Sequence, residues 1–209
     1  MTCYNSNGLN RIRILLCTLS LMVPIGLAWS AENVIGADES PLFRGEQLFQ
    51  SGSYAAAIDV FQLADGLDRN EGIVGASRAM TMLGRYDEAI ALVEDTIDGG
   101  SYADYPLLST QLAELKREVG ESVEALRILS VLINDDLQAA PVRALVKYGS
   151  LLQFTGQKQQ AFVVLEAAIQ RYNDGLVFAS EDVAMVAEAN WLLDRFHDAN
   201  SLFNEAIRA

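Results

Sequence analysis

Gly-Ser-Tyr-Ala-Ala-Ala-Ile at 52–58 and Gly-Arg-Tyr-Asp-Glu-Ala-Ile at 84–90 are two copies of one block, a turn residue followed five positions later by alanine. The block returns with Gly120 and Ala125, with Gly156 and Ala161, and with Asp194 and Ala199, so successive alanines are 32, 36, 36 and 38 residues apart. Seven residues before each turn residue stands a small side chain: Gly45, Ser77, Ala113, Gly149 or Ala187. Nine residues after it stands an apolar one: Phe61, Val93, Leu129, Leu165 or Phe203. Small residues on both sides of a turn let two antiparallel helices approach closely, and the larger apolar residue then plugs the seam against the next pair. Glycine at the turn supplies a backbone conformation that other residues reach only with strain. A period in this range is that of a stacked array of helical hairpins, in which no hairpin buries its apolar face alone.

The register predicts helix pairs at 41–51 with 54–66, 70–83 with 86–98, 104–118 with 121–133, 139–155 with 158–172, and 180–193 with 196–208. Between them fall breaks rich in turn formers: Asp98-Gly99-Gly100-Ser101, Asn134-Asp135-Asp136 and Asn173-Asp174-Gly175. No long linker or low-complexity tract interrupts the array, which makes one domain from 40 to 209 the economical reading.

These residues resemble the tetratricopeptide repeat (TPR) family over Ser40 to Ala209. Gly84, Tyr86, Ala89 and Ile90 match the turn and second helix of its pattern, and Gly52, Tyr54, Ala57, Phe61 and Ala64 match nearly as well. The third copy departs at Lys116, Ser122 and Leu132, the fourth has Lys158 at the aromatic place, and the fifth has Asp194 for the turn glycine. The proline that ends each repeat of the family is missing, although Pro141 opens the fourth. Related arrays such as Sel1-like repeats share much of this register. The resemblance implies an all-α fold, a right-handed superhelical solenoid of about five antiparallel helix hairpins.

The first thirty residues are of another kind. Arg11 and Arg13 precede an apolar run from Ile14 to Trp29, and Ala28-Trp29-Ser30 is a small-x-small cleavage site before Ala31. This reads as a secretory signal peptide over 1–30, followed by a short polar, disordered lead over 31–39. The alternative is an uncleaved anchor, against which the run is short and holds Pro24 and Gly26. Cys17 lacks the small residue before it that lipid attachment requires. Both cysteines, Cys3 and Cys17, lie in this segment, so the mature chain is expected to have no thiol and to be stabilised by its core alone. A hydrophobic fraction of 51% supplies that core. Loss of Arg11 and Arg13 takes the net charge from −13 to −15, a field that repels nucleic acid and anionic lipid.

No catalytic constellation is present. The sequence holds no H-E-x-x-H, C-x-x-C, P-loop or dinucleotide signature, and its one histidine, His197, sits just past the last turn. No cofactor or metal is expected. Ser77 occupies the small-residue place of its repeat and reads as packing. What remains is a surface. In the family resembled, the first helices of successive hairpins line a concave groove. The same register here puts Glu46, Phe49, Arg78, Glu114, Arg117, Lys147, Ser150 and Phe154 there, with Glu188 and Trp191 at the far end and Arg143 one turn before Lys147. Phe49, Arg78, Arg117, Arg143, Lys147 and Phe154 are the candidate peptide-groove residues. Arg117, Arg143 and Lys147 could form a basic strip suited to a peptide carboxylate, the alternative being salt bridges with Glu114 and Glu118. The lysine–asparagine clamp of chaperone-binding members is not reproduced.

The last hairpin is expected to leave Trp191, Leu192, Leu202, Phe203 and Ile207 facing an open end. A longer parent protein, dimerisation through that end, or a frayed terminus would each account for it, and Trp191 and Phe203 are the candidate residues of such an interface. The function expected is an exported, non-enzymatic scaffold or assembly factor of the cell envelope that binds a protein or peptide, with a Gram-negative periplasm as its address. The alternative is the N-terminal repeat region of a larger exported, peptidase-like enzyme. Membrane contact is expected only if the first segment stays uncleaved.

Overall fold

The computed structural model describes residues 40–102, 105–133, 136–177 and 179–208, so the signal and lead segments read from the sequence lie outside the described residues. Among the described residues are ten α-helices and no strand: α1 (Pro41–Gln50), α2 (Tyr54–Phe61), α3 (Arg69–Met82), α4 (Tyr86–Ile97), α5 (Pro106–Glu118), α6 (Ser122–Ile133), α7 (Val142–Phe154), α8 (Lys158–Asn173), α9 (Ser180–Leu192) and α10 (Phe196–Arg208). They pair as five hairpins, each packed on the next, and the first helices α1, α3, α5, α7 and α9 also touch in succession.

The five-residue spacing from turn to alanine has a hydrogen-bond origin. At each hairpin turn the residue after the turn residue donates its N–H back to a carbonyl of the first helix: Ser53 to Leu48, Arg85 to Met80, Glu121 to Lys116, Gln157 to Leu152 and Arg195 to Asn190. The turn residue's own N–H bonds the carbonyl three residues earlier, which completes the Schellman closure of a helix end. That closure needs a left-handed residue. Gly52, Gly84, Gly120 and Gly156 have φ of 79°, 73°, 88° and 84°, and Asp194 takes the same place at 61°. The carbonyls of Ser53, Arg85, Glu121, Gln157 and Arg195 then accept the N–H of Ala57, Ala89, Ala125, Ala161 and Ala199, the first bonds of the second helices. All five alanines are fully buried.

The seam reads as the spacing predicts. A Cβ added at Gly45 would stand 2.5 Å from the Phe61 ring, and one at Gly149 2.6 Å from Leu165, so the plug residue of each of these hairpins lies directly on the backbone of the helix before it. Ser77 is buried in its small-residue place and satisfies its hydroxyl by donating to the Val74 carbonyl at 2.9 Å.

Three boundaries differ from expectation. The second helix stops at Phe61 and not at 66. Gly72 of α3 comes so close that its Cβ would be 2.5 Å from the Phe61 carbonyl oxygen and 2.6 Å from Ala64. The chain therefore leaves the helix, extends at Asp65, turns left-handed at Gly66 (φ 55°) and enters α3 through a short 3₁₀ turn. The other two are prolines. α5 begins at Pro106 and α7 just after Pro141, because proline suits a first turn that needs no N–H and disfavours helix in the residue before it.

Candidate functional site

Side-chain contacts link the first helices of successive hairpins. On α1, Phe49 stacks edge-on against Tyr54, ring centres 5.3 Å apart. Arg78 of α3 lies over the same Phe49 ring at 4.7 Å, and its guanidinium is 3.7 Å from Glu46. Arg117 of α5 pairs with its neighbour Glu118 at 2.6 Å. Arg143 of α7 reaches Glu114 at 3.5 Å.

Lys147 does different work from the arginines beside it. Its side chain is mostly buried and bonds Glu114 of α5 at 3.2 Å and Glu188 of α9 at 3.1 Å. One ammonium thus braces three consecutive hairpins. Both flanking carboxylates are themselves largely covered, so the bridge is screened far less than a surface pair. Its donors are committed within the fold.

Arg78, Arg117 and Arg143 line a depression of about 390 Å³ between α3, α5 and α7, with Met82, Tyr86 and Leu115 among its walls. Among its lining residues is one that sequence reasoning did not single out. Gln111 is 5% exposed, and its Oε1 is buried with no hydrogen-bond partner. A glutamine one turn before Glu114 carries no distinctive spacing, and only the packing around it makes it an unpaired acceptor.

Phe154 is on the same helix as Arg143 but 77% exposed at its C-terminal end, outside this depression. A second hollow, of about 290 Å³, lies where Ile133 and Leu137 meet Leu152 and Val163.

At the last hairpin, Trp191, Phe203 and Ile207 are exposed, whereas Leu202, expected at the open end, turns inward and is buried. Phe196, not anticipated, joins that surface with its ring 4.9 Å from Trp191. Phe203 is 37% exposed while Phe61, in the same place of the first repeat, is 4% exposed, because Phe61 has α3 lying across it. His197 is exposed beside Asp198 at 3.5 Å. Among the described residues no group of three or more His, Cys, Asp or Glu is placed to hold a metal ion, and no helix is long and apolar enough to cross a membrane.

No model of a known protein family matches the chain, and no curated protein does. Solved structures do match. TTC0263, a thermophilic TPR protein of Thermus thermophilus, aligns over 80% of this chain and 89% of its own at 20% identity, with a TM-score of 0.54. A Podosopora anserina protein of nearly identical TPR-like repeats, in a singly substituted form, aligns over 81% of this chain and 92% of its own at 16% identity, with a TM-score of 0.51. With the Schellman-closed turns and the glycine-seated seams, these likenesses establish the fold: the described residues form an all-α solenoid of five hairpins of the tetratricopeptide repeat type.

Proposed function

We propose that this protein is an exported, non-catalytic scaffold that binds a protein or peptide partner on the face formed by α1, α3, α5 and α7. The observation that carries the reading is the meeting of three arginines from three successive hairpins at one depression. Guanidinium groups supplied by separate hairpins can engage a ligand that lies across the repeats. Arg78 and Arg117 are each held by a single carboxylate in a partly exposed pair, and such pairs exchange at small cost, whereas Arg143 is tied to the more covered Glu114. The export proposal is supported by the basic start at Arg11 and Arg13, the apolar run and the Ala28-Trp29-Ser30 site.

The test is capture of partners from the envelope fraction of the source cells with the double variant Arg78→Glu, Arg117→Glu. Both side chains are about two-fifths exposed, so helicity and melting temperature should hold while capture is lost. Capture that persists with the double variant would remove this face from consideration. Lys147 is unsuitable for such a reversal, since a third carboxylate between Glu114 and Glu188 would disrupt the array itself. N-terminal sequencing of the exported protein tests processing: it should begin at Ala31, so that Cys3 and Cys17 are absent.

A further inference from the structure

At three of the four junctions between hairpins, the second helix sets a carboxylate against a cation near the next turn. At the first, Asp59 of α2 attracts Arg85 beside the Gly84 turn. At the second, Glu94 bonds Lys116 at 3.1 Å, four residues before Gly120. At the fourth, Glu166 bonds Arg195, one residue after Asp194. Glu94 and Glu166 share one place in the repeat, ten residues past the turn residue. Among the described residues the third junction has no such pair on this side, and its ion pairs are those of Glu114 between the first helices. Ser130 stands in the place of Glu94 and Glu166, Leu152 in that of Lys116, and Gln157 in that of Arg195. Ser130 and Leu152 line the hollow of about 290 Å³. The hollow therefore opens at the one junction where the repeat's charge pair is missing.

Among the described residues that line this hollow, none carries a charge. Ile133 and Leu152 are buried and make its apolar wall with Leu137 and the half-exposed Val163. Ser130, Gln159 and Gln160 add neutral donors and acceptors. Asp136, beside Leu137, is turned back on its own loop, where its carboxylate accepts the N–H groups of Gln138 and Ala139. A charged ligand entering here would lose hydration and meet no opposite charge, so the lining selects a neutral one. Size narrows the class further. An apolar cavity of about 150 Å³ takes one benzene ring, so this hollow has room for two fused rings. Nine residues line it, far fewer than the roughly 20–30 a side of a specific protein interface, which is the scale of a small molecule. We infer that the hollow between α6, α7 and α8 is a binding site for a neutral small molecule of two fused rings that carries a hydrogen-bonding group. Its rings lie against Leu137, Leu152 and Val163, and its polar group meets Ser130, Gln159 or Gln160. Bound there, it ties α6 to α8 as the ion pairs tie the other junctions, and it stabilises the array by mass action. The site shares no residue with the arginine-lined depression, so the partner reading above neither supports it nor depends on it.

The test titrates the full chain in neutral buffer with 2-naphthol and with 2-naphthoate, an anion of the same ring size, and follows amide shifts by NMR and the melting temperature. 2-Naphthol should give saturable shifts confined to α6, α7 and α8 around the hollow and should raise the melting temperature. 2-Naphthoate should bind about tenfold more weakly or worse. The double variant Ser130→Glu, Gln157→Arg rebuilds the pair that Glu166 and Arg195 form at the next junction. Without ligand it should melt no lower than the wild type, and its affinity for 2-naphthol should fall by about tenfold or more. Val163→Phe, at a half-exposed position, fills the hollow by another route and should lose affinity likewise. Equal affinity for 2-naphthol and 2-naphthoate overturns the inference, as does the absence of saturable shifts around the hollow, or wild-type affinity in both variants. N-acetyltryptophanamide tests the macromolecular alternative. Weaker binding than 2-naphthol supports a small molecule, whereas tighter binding assigns the hollow to a partner's tryptophan side chain and overturns the inference.

Discussion

Replacing Gly75 by alanine puts a methyl group where the Phe61 ring already is. An ideal Cβ at Gly75 would lie 2.6, 2.6 and 2.8 Å from Cδ1, Cε1 and Cζ of that ring. Ordinary contact begins near 3.4 Å, so ring and helix must separate by most of an ångström. The ring has little room to shift, because it is wedged between the backbones of two helices: a Cβ at Gly45 of α1 would also meet it at 2.5 Å. Two effects oppose each other. Alanine in a helix interior is better than glycine by about 1 kcal/mol. Overpacking a tight seam costs about 1–3 kcal/mol. The clash is with a ring held on two sides, so the second effect should win and Gly75→Ala should destabilise by about 1 kcal/mol, a fall of roughly 2–4 °C in melting temperature for a domain of this size. Phe61→Leu shortens the plug and makes room. In the double variant the methyl group and the leucine should fit together, giving a favourable coupling of about 2 kcal/mol in a double-mutant cycle read by urea unfolding. If Gly75→Ala alone stabilises by the full helix-propensity increment, or if the cycle shows no coupling, then Phe61 is not seated on these glycines and the account of the seam is wrong.

Other expectations follow from particular contacts. Asp194 holds a left-handed backbone at φ 61° where the other four turns use glycine, so Asp194→Gly should stabilise by about 0.5–1 kcal/mol in thermal melts, and a loss would mean that its side chain supports the turn. Lys147→Glu should cost at least about 2 kcal/mol, since it leaves three carboxylates together in a largely covered site, and amide hydrogen exchange should show α5, α7 and α9 loosening together. Burial of Lys116 works against its charge, but hydrogen bonds and attraction from Glu94 and Glu121 outweigh it and raise its pKa. Its contribution to stability is therefore complete below the ordinary lysine range and is lost as pH climbs through the raised value, so Lys116→Met should flatten the alkaline limb of the stability curve. Phe61→Ala should cost about 3–5 kcal/mol and Phe203→Ala clearly less, because Phe203 keeps over a third of its surface in water.

The array was legible in the primary structure because its geometry is local. A Schellman turn closes within six residues, and the first bond of the next helix falls at a set distance beyond it, so turn residue and alanine recur at one spacing whatever lies between. Glycine against Phe61 or Leu165 follows from the same register, since the residue nine places past the turn faces the helix before it. The end of α2 was less legible: only the approach of Gly72 to the Phe61 carbonyl cuts the helix short. The candidate groove was legible as a set of positions and not as a set of roles. Register placed Arg117, Arg143 and Lys147 on one face, but the roles of Arg143 and Lys147 depend on charges from other hairpins. Glu114 stands 29 positions from Arg143, and Glu188 stands 41 positions from Lys147. Hence Lys147 is a brace while Arg78, Arg117 and Arg143 rim a depression, and Gln111, ordinary in the sequence, is left with an unpaired oxygen. Periodicity and turn chemistry act over a few residues and determined the solenoid; desolvation and ion pairing act across packed helices, and only the tertiary structure decided which polar groups are satisfied and which are not.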